Sequence, residues 1–375
     1  MPENRPNILF LSDHLGHGGS RIHGATSYFL SVLPRLRRAG FPLTVCFLRN
    51  RHPAAALLER QGVKPLFLNR PRWDLAVTVT LIRLIRKQRI DLVHTAGMKG
   101  ILTGRAAARA TGRKCVIHLH DMLPQSAPIR ILQRSMASWT DRALVISDAV
   151  GEFAREHFGI PARRIVTLYN GIDLRPYAVE RSAEEKNSLK SSLGLPPDAP
   201  VIVTVGRIDS VKQQSQAILA MRSVAAAVPR ARLLIVGDGP KKEEWSRLAE
   251  ERGSPVIFTG QREDIPELLA ISDLMVITSS SEGLSLAAIE ALAAGVPVVC
   301  PRIGGLPEVV EDNRSGILTT PGRPQEIEAA LIRLLQDSSL RGSFSRAARS
   351  RALSFDIRTH IKKLERIYFS VMAEI

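Results

Sequence analysis

The chain has 375 residues, of which 45% are hydrophobic and 23% charged, and a formal charge of +16. This composition excludes a disordered, collagenous or coiled-coil chain as the main architecture, and the length suits two domains at roughly 150 residues each. No apolar run reaches the roughly 18 residues of a spanning helix, and the polar start passes directly into a strand pattern. Neither a membrane span nor a signal peptide is therefore expected. Cys46, Cys115 and Cys300 are far apart and set among apolar residues. They predict buried reduced thiols in a cytoplasmic protein, not a zinc site or a disulfide framework.

The charge is unevenly placed. Residues 1–170 hold 26 Lys/Arg against 10 Asp/Glu, whereas residues 171–375 hold 26 against 26. The first half either meets something anionic or presents a solvated arginine-rich face. Anionic lipid, a phosphorylated compound and an acidic glycan are the anionic readings. Nucleic acid is disfavoured, because aromatics are only 5% and no recognised binding module is present.

In chain order, short β-branched runs alternate with longer helical stretches. Strands are expected at 7–11, 43–48, 92–94, 116–120, 143–146 and 165–169. Helical patterns lie between them, for example 26–39, stopped by Gly40, and 75–89. A boundary falls in residues 170–200. There 180–192 is polar and charged, and Leu195-Pro196-Pro197-Asp198-Ala199-Pro200 reads as a loop. A second strand set is expected at 201–205, 232–236, 256–259, 274–278, 298–300 and 317–318. Continuous apolar strands alternating with helices predict parallel sheets covered on both faces. The expected architecture is α/β, with two Rossmann-like doubly wound domains facing a cleft. Ligands bind such domains beyond the C-terminal strand ends.

Several motifs are missing. There is no Gly-x-x-x-x-Gly-Lys-Ser/Thr, no Gly-x-Ser-x-Gly and no Asp-x-Asp. Gly16, Gly18 and Gly19 would need a glycine at position 21 for the dinucleotide fingerprint, and Arg21 stands there. The sharpest constellation lies in the second half. Gly206-Arg207-Ile208-Asp209-Ser210-Val211-Lys212 follows a strand, placing two cations where they can hold a diphosphate or simply face solvent. Val236-Gly237-Asp238-Gly239-Pro240 is a second strand end entering a glycine-rich turn. Ser279-Ser280-Ser281-Glu282-Gly283-Leu284-Ser285 opens a helix expected over 286–294, whose N-terminal amides suit phosphate oxygens. Glu290 lies about two turns on, where a carboxylate can accept from ribose hydroxyls, and Glu282 sits at the mouth.

Taken with Gly304-Gly305-x-x-Glu308, these motifs resemble the retaining nucleotide-sugar glycosyltransferases of family 4, which have the GT-B fold. The likeness covers nearly the whole chain. Gly18-Gly19 resembles that family's glycine-rich loop, His120-Asp121 its strand-end pair, and Ser147 a serine after the next strand. Tyr169-Asn170-Gly171-Ile172-Asp173 is similar to its interdomain signature. Leu353-Ser354-Phe355 and the helix 357–373 resemble its terminal helix, which crosses back to the first domain. The resemblance implies an acceptor-binding domain at 1–173 plus the crossover helix at about 357–375, and a nucleotide-sugar domain at 174–356.

The resemblance also implies roles. Arg207 and Lys212 would bind the donor diphosphate and offset charge on the leaving group, so neither a metal nor a cofactor is expected. Gly206, Gly237 and Gly239 would shape the donor pocket, and Glu290 would hold the ribose. Glu282 would contact the transferred sugar, with Gly283, Leu284, Ser285 and Leu286 placing backbone amides near donor and phosphate. Gly18 and Gly19 would let backbone approach the diphosphate from the other domain. His120 would sit at the reaction centre; without the resemblance it reads equally as a structural strand-end histidine. A front-face transfer with retention needs no protein nucleophile, and none is evident. A uracil-type donor is favoured over a guanine-type one.

Departures are few. Gln213 replaces a common Gly or Asn, and Ser285 replaces a common Gly. His17, Arg21 and His23 make the first glycine loop basic, suited to an acceptor phosphate or to solvent. The segments 34–38 and 81–89 are basic and amphipathic, and can lie on an anionic membrane surface or face water. The expected function is sugar transfer to a cell-surface glycan, glycolipid or lipid-carrier acceptor. It is placed in the cytoplasm, with peripheral contact at the inner membrane face. The alternatives are a nucleotide-sugar 2-epimerase on the same fold and a non-catalytic anionic-glycan or membrane-binding protein.

Overall fold

The computed structural model describes residues 5–16, 24–70, 74, 76–123 and 125–374. It has two compact units, one formed by Met1–Gly171 with Ile357–Ile375 and the other by Ile172–Asp356.

The first unit runs β1 (Ile8–Ser12), α1 (Gly24–Arg38), β2 (Leu43–Phe47), α2 (Ala55–Arg60), β3 (Leu66–Phe67), α3 (Ala76–Lys87) and β4 (Leu92–Ala96). It continues with α4 (Met98–Thr111), β5 (Lys114–Leu119), α5 (Ala127–Ser135), β6 (Arg142–Val145), α6 (Asp148–Phe158) and β7 (Ile165–Thr167). Its seven parallel strands are ordered β3-β2-β1-β4-β5-β6-β7. Strand β1 lies at the centre, with Ile8 opposite both Leu43 and Leu92, and all five of its residues are buried. Burial on both faces is why this strand reads as an unbroken apolar run.

The second unit runs α7 (Ala183–Ser192), β8 (Val201–Val205), α8 (Gln214–Ala227), β9 (Arg232–Val236), α9 (Lys242–Glu251), β10 (Val256–Gly260) and α10 (Ile265–Ala270). It continues with β11 (Leu274–Val276), α11 (Leu286–Ala294), β12 (Val298–Pro301), α12 (Leu306–Val309), β13 (Gly316–Thr319), α13 (Pro324–Gln336) and α14 (Ser338–Ala352). Its six strands are ordered β10-β9-β8-β11-β12-β13, again parallel. In each sheet the order reverses beside the first strand, which is where doubly wound sheets place their ligands.

The last helix, α15 (Ile357–Ala373), belongs to the first unit. Its Leu364, Tyr368 and Val371 are fully buried in one apolar core with Val32, Leu33 and Leu36 of α1. The start of α15 passes so close to Gly171 that a β-carbon there would lie 2.7 Å from His360 Cβ and 2.8 Å from Ile357 Cα. Only glycine fits, which gives a packing reason for the Asn170-Gly171 pair.

Three features differ from the sequence reading. Strand β3 was not expected, because only two residues pair and Leu66 is exposed. The polar stretch 180–192, to which the sequence reading gave no element, contains α7. A capping box starts that helix, with Ser182 Oγ accepting from Glu185 N at 3.2 Å and Glu185 Oε2 from Ser182 N at 2.8 Å. Helix α3 is amphipathic, but its Val77, Leu81 and Ile85 are buried within the unit. The outward residues are mostly basic, with Arg83, Arg86, Lys87 and Arg89 exposed beside Val79 at 48%. Among the described residues no helix is long and apolar enough to cross a membrane, and Cys46, Cys115 and Cys300 are buried and unpaired.

Leu364→Ala should cost about 2–5 kcal/mol, the scale for emptying a buried leucine site. Calorimetry should show the first unit's transition moving down. An unchanged transition would mean that α15 is peripheral to that core.

Candidate active site

In the second unit, two loops at the C-terminal ends of β8 and β9 are fastened backbone to backbone. Gly206 N donates to Val236 O at 3.0 Å and Ile208 N to Asp238 O at 3.0 Å. A β-carbon on Gly237 would lie 1.9 Å from Gly206 O, and one on Gly239 would lie 2.1 Å from Ile208 O. These contacts require glycine at both positions, and Gly206 and Gly237 also hold positive φ (+152° and +142°).

The first loop carries the two cations. Asp209 Oδ1 accepts from the amides of Val211 and Lys212, each at 3.0 Å, so its carboxylate braces the turn. Arg207 Nε lies 3.6 Å from Asp209 Oδ2, and its side chain is 55% exposed. A pair that exposed contributes little stability and leaves the guanidinium available. Gln213 sits in the left-handed region, at φ 48° and ψ 39°. This explains why Gly or Asn suits the position, since both enter that region at lower cost. Thr278 Oγ1 holds the strained turn from the next strand end, donating to Lys212 O at 2.9 Å and Gln213 O at 2.8 Å.

Lys212 is thereby aimed at Glu282. Its Nζ lies 2.6 Å from Glu282 Oε1, and Ser279 Oγ donates to the same oxygen at 2.8 Å. Glu282 is only 7% exposed, so its charge needs these partners. The Glu282 carbonyl accepts from Gly305 N at 3.1 Å, tying in the Gly304-Gly305 turn.

Helix α11 opens next. Ser285 caps it, its Oγ accepting from Ala288 N at 3.3 Å, which is how a non-glycine residue serves there. The amides of Leu286 and Ala287 have no acceptor among the described residues. They carry the positive end of the helix dipole. Gly283 and Leu284 form the turn leading in, with Leu284 buried. Burial pushes the Glu290 carboxyl up to about 7, and a hydrogen bond from the Tyr177 hydroxyl offsets part of that rise.

His120 belongs to the first unit, one residue past the end of β5. Its ring lies 4.0 Å from that of His118 and 4.6 Å from that of Tyr28, centroid to centroid. Both of its nitrogens are buried without a hydrogen-bond partner among the described residues. Behind it runs a buried polar chain. Tyr368 Oη pairs with His94 Nδ1 at 2.6 Å, and His94 Nε2 with His118 Nδ1 at 3.2 Å. Tyr28 Oη lies 3.4 Å from His118 Nδ1 and 3.3 Å from His360 Nε2, and His360 Nδ1 donates to Tyr169 O at 2.8 Å. Burial, with help from neighbouring imidazoles, holds His94 and His120 down to about 3, and burial holds His360 down to about 4 although its bond to the Tyr169 carbonyl raises it. His118 is held well below its usual range for the same reasons. Asp121 is exposed, and its Oδ1 accepts from Leu123 N at 3.2 Å.

Gly18 and Gly19 lie outside the described residues, as do His17, Arg21 and His23. Within the second unit the loops bring together Arg207, Lys212 and Glu282, beside the glycine pair and the start of α11. Sequence reasoning missed Ser279, Thr278, Asp209 and Tyr177. Ser279 had a signal, since a hydroxyl three residues before a glutamate often bonds it; Tyr177 had none.

Two family models match the chain: Glycosyltransferase Family 4 over residues 22–175 and glycosyl transferases group 1 over residues 185–351. The chain belongs to the family 4 glycosyltransferases. This glycosyltransferase is 28% identical over 317 residues to a sulfoquinovosyl transferase of Arabidopsis thaliana, covering 79% of this chain and 60% of the plant protein's length. It is 27% identical over 314 residues to the UDP-Gal:alpha-D-GlcNAc-diphosphoundecaprenol alpha-1,3-galactosyltransferase of Escherichia coli, covering 80% of each. Its fold matches Anabaena HepE, crystallised in complex with UDP-glucose, with a TM-score of 0.81 at 24% identity over 98% of this chain and 100% of HepE. The two parallel sheets with their surrounding helices are those of the GT-B fold.

The buried imidazoles of this glycosyltransferase set its acid sensitivity. Unfolded histidines bind protons from about pH 6.5 downward, whereas the folded ones stay neutral to pH 3–4. The unfolded chain therefore holds more protons in that window, and stability falls as pH drops below about 6.5. Urea midpoints should be flat above pH 7 and fall between pH 6 and 5. His118→Phe should remove about one proton from that slope, worth about 1.4 kcal/mol per pH unit. A slope that the substitution leaves unchanged would show that these imidazoles are already protonated in the fold.

Proposed function

We propose that the enzyme moves a sugar from a nucleoside diphosphate-sugar to a cell-surface glycan, glycolipid or lipid-carrier acceptor, with retention at the anomeric carbon and without a metal. The observation that carries this reading is the grouping at the second sheet's C-terminal edge. Lys212 is paired with the buried Glu282 carboxylate, Arg207 lies on the same loop, and the segment that carries Glu282 runs on into α11, whose first two amides have no acceptor among the described residues. Cations and unbonded amides are what a diphosphate needs, and together they can carry the leaving-group charge that a metal carries elsewhere. Glu290, a carboxyl that burial raises and the Tyr177 hydroxyl steadies, is suited to accept from two ribose hydroxyls. Glu282 faces the transferred sugar.

In this reading the bond from the anomeric carbon to the diphosphate oxygen breaks as the bond to the acceptor oxygen forms on the same face. The acceptor's proton passes to the departing phosphate oxygen. No protein nucleophile takes part. His120, whose two buried nitrogens have no partner among the described residues, would serve the donor sugar or the acceptor hydroxyl in this reading. A uracil base is favoured: the Escherichia coli relative is named for UDP-Gal and a diphosphoundecaprenol acceptor, and HepE was crystallised with UDP-glucose. The first half's basic excess suits an anionic acceptor or the inner face of a membrane. The outward Arg83, Arg86 and Lys87 would make such contact by charge alone.

Arg207→Ala or Lys212→Ala should each weaken UDP binding by about 2–3 kcal/mol, the scale of a charge-assisted hydrogen bond, and abolish turnover. Titration calorimetry checks this, and unchanged affinity in both variants would remove the diphosphate assignment. Activity should survive EDTA; its loss would require a metal.

A further inference from the structure

We propose that Ser279 is a positioning residue for Glu282, fixing the carboxylate so that Oε2 is the oxygen left for the sugar contact already assigned to this residue. This rests on the donor reading above. A carboxylate has two oxygens and about four acceptor sites. Glu282 uses only one oxygen, because Lys212 Nζ at 2.6 Å and Ser279 Oγ at 2.8 Å both bond Oε1. Oε2 has no partner among the described residues. A single bond to Oε1 would let the carboxylate rotate; two bonds from separate loops fix its plane and leave Oε2 facing a set direction.

The two holders are not equivalent. Lys212 is the cation assigned to the diphosphate, so bound donor competes with Glu282 for its ammonium. Ser279 is a neutral donor, 3% exposed, on the same short segment as Glu282, so phosphate does not draw it away. Its neighbour Thr278 grips the backbone of Lys212 and Gln213. The pair Thr278-Ser279 thus ties the cation loop with one hydroxyl and the sugar-facing carboxylate with the next. When the donor binds, Ser279 is the holder that remains.

The role separates binding of the nucleotide from binding of the sugar. Calorimetry on the full chain would compare UDP with UDP-glucose and UDP-galactose in wild type, Ser279→Ala, Ser279→Thr and Glu282→Gln. Ser279→Ala should leave UDP affinity within about twofold and reduce the extra affinity that the sugar supplies by about tenfold. The rate of sugar transfer to water or acceptor should fall alongside it. Ser279→Thr keeps the hydroxyl and should recover most of the loss. In a Glu282→Gln background, Ser279→Ala should have no further effect on the sugar's contribution. An equal fall for UDP and UDP-sugars, or an undiminished effect in the Glu282→Gln background, would overturn the positioning role. Failure of UDP to bind wild type would instead overturn the donor reading itself. If Ser279→Ala does not fold, Ser279→Cys takes its place in the same comparison, because it keeps the side chain's size and weakens the hydrogen-bond donor.

Discussion

A lysine and a glutamate that lie 70 residues apart in the chain meet at 2.6 Å over the end of the second sheet. A carboxylate as buried as Glu282 is tolerated only with a charged or hydrogen-bonding partner, and much of the surrounding structure exists to supply one. The glycine contacts at Gly237 and Gly239 let the loops after β8 and β9 touch through backbone. That fixes where the Arg207–Lys212 loop leaves the sheet. Asp209 closes the turn, Gln213 takes a left-handed conformation to end it, and Thr278 stabilises both. The site is therefore set by backbone geometry before any substrate binds, which is the arrangement that electrostatic catalysis requires.

The first unit solves a different problem. Three histidines and two tyrosines are buried together there, and a chain of hydrogen bonds links them. Helix α15 supplies two of the five, His360 and Tyr368, and buries its apolar side in the same core. The end of the chain is thus needed both for packing and for polar satisfaction. His120 stands at the edge of this group, its nitrogens without a partner among the described residues, in ring contact with Tyr28 and His118.

Much of this was legible in the residues. Apolar strands alternating with amphipathic helices specify parallel sheets, and most expected strands lie within one or two residues of the observed ones, because a strand buried on both faces has few other compositions. The site loops were legible because strand-end glycines and cations recur in order. What stayed hidden was geometric. Nothing in Ser279-Ser280-Ser281 says which hydroxyl turns inward, and nothing near Tyr177 announces Glu290. The histidines at 94, 118 and 360 looked unrelated, since only the sheet order and the return of α15 bring them together. The basic amphipathic pattern of α3 was legible too, yet which partner covered its apolar side depended on the tertiary structure.

The most direct test of the account is a thermal-shift comparison of the full chain with UDP, GDP, ADP, dTDP and CMP, each with and without its common sugars. A ligand at 100 times its dissociation constant adds about 2.7 kcal/mol, which moves the midpoint measurably. The account predicts stabilisation by one nucleoside diphosphate, UDP before GDP, and none by CMP. Stabilisation by polyanions or anionic vesicles with none by any nucleotide would contradict it, and would move the working surface to the basic first unit.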